Sequence, residues 1–533
     1  MKTILFGMLM MVAVAGAVAD KPNLIVIMCD DLGYADVGFN GCTDIPTPNI
    51  DRIADNGVRC TSGYAPYSVC GPSRAGFITG RYGQRFGFER NPQHRVDDPN
   101  MGVPLSERMF SEVLKPVGYT SGIVGKWHLG AHETLHPLAR DFDYFYGHLG
   151  GGHRFFPEDL TIEGHGKNEE ESYRTKILHN HEMVETSKYL TDEFSDAAVE
   201  FIGQSKEQPF FLFLSYNAPH LPLQASDEYL DRFPTLEGKR KVYAAMVSAV
   251  DDGVGQVFQK LEELNLMEDT IIFFLSDNGG PEPKNASDNG PLRGSKGDSW
   301  EGGFRVPYAV QWKGVLPEGV DYDHPVSSLD ILATITELSG ASEDPARPLD
   351  GVNLIPYLTG KKSGAPHQAI YLRKFDGQKY TVRSGDYKLH TQWHGDAPRL
   401  YNLKDDIGEE RDVANQNPEK VQQLQQLRAQ WDAELIEPAF LGLIHTPEWQ
   451  AKIKKNQQSS KKKGTSSWDW FAALDLNKDN GVTLEEWMDW GALNAKRKGE
   501  SYNESRQKEY FLGRDENGNG IISREELIAK AGK

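Results

Sequence analysis

Four apolar runs in this chain are each followed within a few residues by side chains able to bind ions or move protons. Asn23–Met28 is followed by Asp30 and Asp31, and Thr120–Val124 by Lys126 and His128. Phe210–Leu214 leads to His220, and Thr270–Leu275 to Asp277 and Asn278. Nearly continuous hydrophobicity is the pattern of a strand covered on both faces. In open α/β sheets ligands bind just beyond the carboxyl ends of the strands. Carboxylates and an amide are hard oxygen donors, suited to Ca²⁺ or Mg²⁺. Ammonium groups and imidazoles add anion binding and proton transfer. A further candidate lies in Ser68-Val-Cys70-Gly-Pro72-Ser73-Arg74. Pro72 and Ser73 suit a first helical turn, which puts Cys70 just ahead of a helix N-terminus, where free amides favour anions. By position alone Cys70 is a low-pKa thiolate candidate or an ordinary buried cysteine.

The elements that must position these residues follow from the same patterns. Helical periodicity covers Thr191–Gln204 and Lys239–Leu264 between the strands. This β-α alternation predicts an α/β sandwich over residues 20–360. From Ile370 to Leu403 the pattern changes. Tyr380–Arg383 and Tyr387–His390 flank a glycine-containing turn, predicting an antiparallel hairpin. A helix over Pro418–Glu434 completes a smaller α+β subdomain, residues 361–451. Residues 452–467 are rich in Lys, Gln, Ser and Gly without apolar periodicity, the composition of a flexible basic linker.

The tail, 468–533, carries an internal repeat 40 positions apart. Asp475, Asn477, Asp479, Gly481, Thr483 and Glu486 recur as Asp515, Asn517, Asn519, Ile521, Ser523 and Glu526. Positions 1, 3, 5, 7, 9 and 12 of a loop with oxygen ligands and a final Glu match EF-hand calcium spacing, position 7 ligating through its backbone carbonyl. Phe471 and Phe511 precede the loops at equal offsets. The first loop has Asn480 where glycine is usual, and Asn tolerates the left-handed conformation better than most residues. The tail is expected to be an all-α pair of calcium-binding EF-hands.

The whole chain of 533 residues has 77 acidic and 58 basic side chains, a formal charge of −19. That excludes a nucleic-acid binder with a general basic surface. An anionic substrate needs a local positive pocket against this field. Residues 1–19 read as a signal peptide, with an apolar stretch from Ile4 to Val18 and Ala17-Val18-Ala19 before the cleavage point. The expectation is export, to a periplasm or outside the cell, without a membrane span. Only four cysteines occur, Cys29, Cys42, Cys60 and Cys70, too few for a disulfide scaffold.

Cys70-Gly71-Pro72-Ser73-Arg74 with Thr79-Gly80-Arg81 resembles the C-x-P-S-R-x(4)-T-G signature of the type I, formylglycine-dependent sulfatases of the alkaline phosphatase superfamily. Gly118-Tyr119-Thr120 through Gly125-Lys126-Trp127-His128 is similar to their second signature, and Asp30-Asp31 and Ser276–Gly279 to their metal segments. The resemblance spans roughly residues 21–411. It implies an alkaline phosphatase-like α/β fold with a central mixed sheet, and hydrolysis of sulfate esters. It further implies that a separate formylglycine-generating enzyme oxidises Cys70 to an aldehyde whose hydrate attacks sulfur. Asp30, Asp31, Asp277, Asn278 and the modified Cys70 would hold Ca²⁺, or Mg²⁺. Arg74 would steady that group. Lys126 and Lys296 would neutralise the sulfate oxygens. His128 would take the proton at release, and His220, with Lys296, would serve the leaving alcohol.

Arg85–Pro92 looks like segments of polysaccharide-directed bacterial sulfatases, so a sulfated carbohydrate is the expected substrate. Relatives often carry Ser near the Gly150-Gly151-Gly152-His153 segment. With glycines there, His153 and Arg154 become candidate sugar contacts. Arg90, His179 and His181 are weaker candidates, or plain surface residues. Alternative readings are a phosphatase or phosphonate monoester hydrolase of the same superfamily, and a calcium-binding scaffold with an inactive sulfatase domain.

Overall fold

The computed structural model describes residues 21–392, 396–447, 450–451, 474, 482–498, 502, 504–512, 515 and 519–522. The expected signal peptide and linker lie outside them, as do Phe471, Asp475, Asn477, Asp479, Asn480, Gly481, Asn517, Ser523 and Glu526. The chain divides into two compact units, Met1–Leu443 and Ile444–Lys533. The hairpin subdomain thus belongs to the same unit as the large sheet.

Ten strands of the first unit form one mixed sheet. They are β1 (Asn23–Cys29), β2 (Val58–Cys60), β3 (Thr120–Lys126), β4 (Tyr144–His148), β5 (Ile177–His179), β6 (Glu182–Val184), β7 (Phe210–Ser215), β8 (Thr270–Ser276), β9 (Tyr308–Gln311) and β10 (Val320–Tyr322). Their order is β10-β2-β9-β8-β1-β7-β3-β4-β5-β6. The central five, β8-β1-β7-β3-β4, run parallel, and β9, β5 and β6 add antiparallel pairings. Every residue of β1, β7 and β8 is buried. Alternate residues of β1 enter two cores. Leu24, Val26 and Met28 join Phe77, Phe110, Phe211 and Phe213 on one face. Ile25, Ile27 and Cys29 join Phe194, Phe201, Tyr243 and Val250 on the other. A strand apolar on both faces needs cover on both, and the helices supply it.

That cover includes α1 (Cys70–Thr79) on one face, and α2 (Leu190–Ser205) and α3 (Gly238–Glu263) on the other. In α1 the Ser73 amide donates to Val69 O, and the helix stops at Gly80, whose φ of 65° is the left-handed cap glycine favours. Because the parallel strands point the same way, their carboxyl ends gather Asp30, Lys126, Ser215 and Asp277 at one edge.

A second sheet, β11 (Ile370–Lys374), β12 (Lys379–Ser384), β13 (Tyr387–Thr391) and β14 (Arg399–Asn402), is antiparallel throughout. The expected hairpin is present, with Ser384 opposite Tyr387 and Gly385 at φ 58° in the turn. Helix α4 (Pro418–Asp432) packs Leu424 and Leu427 on this sheet. A buried ionic cluster ties it to the large sheet's loops. Lys388 Nζ lies 2.9 Å from Glu301 Oε1 and 2.7 Å from Glu409 Oε1.

In the second unit Val482–Thr483 pairs antiparallel with Ile521–Ile522, joining the two repeats through backbone. Leu474, Val482, Trp487, Phe511 and Ile522 form its core. Glu486 Oε2 accepts from Thr483 N at 3.0 Å and Thr483 Oγ1 at 2.9 Å. Asp515 accepts from Asn519 N and Gly520 N, with Gly520 at φ 80°. Among the described residues, Asp515 thus draws its own loop backbone inward, while Glu486 bonds back to the start of the helix that follows the first loop.

Candidate active site

The strand ends and the start of α1 converge on one buried cluster. Asp30, Arg74, Lys126, Asp277 and Asn278 are all fully buried, and Asp31 and Cys70 nearly so. Arg74 Nε donates to Asp277 Oδ2 at 2.8 Å, and its Nη1 to Ser215 Oγ at 2.5 Å and Lys126 O at 3.2 Å. Lys126 Nζ lies 2.6 Å from Asp30 Oδ2. Lys296 Nζ lies 2.6 Å from Asp31 Oδ1 and 3.4 Å from Cys70 Sγ. Asn278 Nδ2 also donates to Asp31 Oδ1, at 2.8 Å. His220 Nε2 stands 3.6 Å from Asp31 Oδ2, while its Nδ1 engages Leu221 O. Asp31 and His128, at φ 69° and 61°, turn the chain sharply just past their strands. Non-glycine residues in the left-handed region are strained, and such strain concentrates at functional sites.

Three carboxylates face three cations here, Arg74, Lys126 and Lys296. Burial opposes the charge of Asp30, but Lys126 and His220 outweigh it and hold that carboxyl below its usual range. Asp31 is likewise held low against burial by Lys296 and His220. Asp277 is pushed up by burial and by its neighbour Asp30. Burial and the nearby Lys126 push His128 well down, so its imidazole is neutral. Burial also lowers His220, against the pull of Asp30 and Asp31.

The thiolate expectation for Cys70 needs correction. The residue is the first of α1 rather than just ahead of it. Burial raises its thiol, and Lys126 and Lys296 only partly offset that. A helix N-terminus favours an anion only where solvation is not lost at the same time. As a cysteine the side chain is protonated.

His153 and Arg154 do not join the cluster. His153 is fully buried. Its Nδ1 meets Arg154 O, its Nε2 meets Thr175 Oγ1, and its ring packs on His148 at 4.7 Å. Arg154 reaches outward, with its nearest acid Asp159 at 3.8 Å. Arg90 is bound by Asp376 and Phe440 O. His179 packs on Tyr144 and Tyr146, and His181 on His136. Sequence reasoning missed Ser215, although it is the polar terminus of an apolar strand, the same signal that marked its neighbours. All four cysteines are free.

The Sulfatase family model matches residues 22–341, well over half the chain. This chain belongs to the sulfatase family. It is therefore a sulfuric ester hydrolase, built on the α/β mixed-sheet fold described above. An EF-hand model matches residues 469–489. Among solved structures, Ps i-CgsB in complex with k-i-k-neocarrahexaose is 37% identical, with a TM-score of 0.76 over 82% of this chain and 98% of that one. The uncharacterized sulfatase YdeN of Escherichia coli K12 is 30% identical over 76% of this chain and 84% of its own. Arylsulfatase G of Rattus norvegicus is 31% identical over 75% and 84%. No helix among the described residues is long and apolar enough to cross a membrane.

The family implies a metal and a formylglycine, and the donor set of this sulfatase fits both. Ligand atoms of Asp30, Asp31 and His220 lie within 4.8 Å of one another, as do those of Asp30, Cys70 and Asp277. Asp30 Oδ1 and Asn278 Oδ1 are buried and have no hydrogen-bond donor among the described residues. Orphaned buried acceptors are costly unless a cation takes them. A divalent ion would leave the balanced cluster positive, which suits an anionic ester.

Proposed function

We propose that this sulfatase is exported, to a periplasm or outside the cell, and removes sulfate from a sulfated polysaccharide or oligosaccharide. The reading of the reaction rests above all on Lys296 Nζ standing 3.4 Å from Cys70 Sγ inside a ring of three carboxylates. The carbohydrate substrate is supported by the likeness to the carrageenan-oligosaccharide complex. When present, formylglycine at residue 70, made by a separate formylglycine-generating enzyme, supplies the attacking hydrate oxygen, and a Ca²⁺ or Mg²⁺ ion supplies Lewis acidity.

Asp30, Asp31, Asp277, Asn278 and residue 70 would hold the ion. Arg74 fixes Asp277 and ties the ends of β3 and β7 together. Lys126 and Lys296 place ammonium groups where the charged sulfate oxygens must sit. His220 Nε2 faces the same space and hydrogen-bonds the ester oxygen, and Lys296 delivers a proton to the departing alcohol. His128, neutral because it is buried among cations, accepts the proton at residue 70 when sulfate leaves. In the tail the EF-hand pair binds Ca²⁺ through the loop residues from Asp475 to Glu486 and from Asp515 to Glu526.

Two measurements test this together. Peptide mass spectrometry of active protein should show residue 70 without sulfur. Desulfation should be seen within a panel of defined sulfated oligosaccharides that includes neocarrahexaose. Full activity with an intact thiol at residue 70 would sink the mechanism, and a panel without turnover would sink the substrate.

A further inference from the structure

The glycine run Gly150–Gly152 lies under a turn that follows β4, and each glycine faces one side chain of it. A Cβ on Gly150 would stand 3.0 Å from Ser172 Oγ. One on Gly151 would stand 2.7 Å from His128 Nε2 and 3.2 Å from Glu169 Oε1. One on Gly152 would stand 2.5 Å from Tyr173 Oη. A side chain at 151 would displace His128 and press on Glu169, and one at 152 would displace Tyr173. The run is therefore a cradle that lets residues 169–173 enter the site from outside the sheet.

We infer that Glu169 and Tyr173 read the sugar that carries the scissile sulfate, Glu169 binding a hydroxyl next to the ester and the Tyr173 phenol binding a further hydroxyl of the same sugar. This rests on the carbohydrate reading above. Glu169 Oε1 and the imidazole of His128 share the space over Gly151, so the carboxyl borders the reacting centre. Burial lifts this carboxyl to about 7, against the pull of the Lys126 charge. The Tyr173 phenol stands over Gly152, one residue on from the floor that Glu169 and His128 share. Its ring lies 6.5 Å from that of His220. The turn is held rigidly. Asn168 Oδ1 accepts from Glu171 N at 3.0 Å, Ser172 Oγ donates to Glu169 O at 2.7 Å, and Tyr173 O accepts from Arg154 N at 2.9 Å. The machinery for sulfate is already complete without Glu169. A carboxyl held at about 7 adds no positive charge to a sulfate pocket, and its ionised form repels the anion, so its use lies with the neutral part of the substrate. Aimed polar groups of this kind discriminate between hydroxyl-bearing and hydroxyl-lacking substrates.

The test compares wild type, Glu169→Gln and Tyr173→Phe, all carrying formylglycine. Each is assayed on the best oligosaccharide of the panel, on its congener O-methylated next to the sulfate, and on a small aryl sulfate. Loss of the hydroxyl should cost wild type about 10–100-fold in kcat/KM, in line with one specific hydrogen bond. The same loss should cost Glu169→Gln at least fivefold less. Tyr173→Phe should shift the ratio of oligosaccharide to aryl sulfate by at least fivefold. Equal sensitivity of wild type and Glu169→Gln to methylation would overturn the inference, as would parallel losses on all three substrates. A wild type that desulfates no sugar but does cleave the aryl sulfate would overturn the carbohydrate reading instead, and this inference with it. Circular dichroism and thermal unfolding of the variants separate either result from misfolding.

Discussion

Lys126 and Lys296 are bound to Asp30 and Asp31, and that pairing defines what their removal does. Each deletion takes a cation from the sulfate pocket and leaves a buried carboxylate uncompensated. Lys126→Ala and Lys296→Ala should each lower turnover by roughly 10²–10³, the usual cost of losing one preorganised donor. The loss should appear in kcat/KM for aryl and sugar sulfates alike, because both present the same anion. Near-normal kcat/KM for Lys126→Ala on both substrates would mean that the ammonium serves Asp30 alone. Cys70→Ala should abolish turnover at little cost to stability. The side chain is small, and its one hydrogen-bond partner among the described residues, Lys296, keeps Asp31.

Among elements, the segments on either side of β4 and the small antiparallel sheet carry separable consequences. His136 and His153 are each held at about 4, first of all by burial. In the unfolded chain both titrate near 6.5. Their folded values are depressed, so the stability tied to their neutrality is fully present above pH 6.5. It is lost as pH falls towards 4, by roughly 3 kcal/mol for each. His153→Gln should therefore flatten the fall of Tm between pH 6.5 and 4. An unchanged slope would show that His153 is protonated in the folded state. On the small sheet, Lys388 neutralises both Glu301 and Glu409 in the interior. Lys388→Met leaves two buried carboxylates with one cation fewer and should cost about 3–5 kcal/mol in denaturant unfolding. A loss below 1 kcal/mol would mean that Arg383 and Arg305, the other cations at Glu301, suffice.

At the scale of the whole molecule, every residue assigned to sulfate chemistry lies within Met1–Leu443, and the EF-hand repeats lie beyond it. Deletion after Ser467 should leave kcat/KM for a small aryl sulfate within about twofold, with the first unit still folded by circular dichroism. Total loss from a folded truncation would make the tail part of the site. The sequence by itself determined the central strands, because a run apolar on both faces has few other uses. It also determined the convergence of Asp30, Lys126, His220 and Asp277, because parallel strands deliver their ends to one edge. The EF-hand of the first loop was legible for a similar reason, since its expected ligands lie within twelve consecutive residues. What depended on packing between distant segments was not legible. The protonation of Cys70 follows from how deeply α1 is buried, which its helix position does not encode. His153 follows a strand as His128 does, yet its ring turns into the core, because Thr175 from a later segment and His148 at the end of the preceding strand complete its surroundings. Glu169 and Tyr173 sit in a polar stretch without periodicity, and their place over the glycine floor beside His128 is set by packing between distant segments.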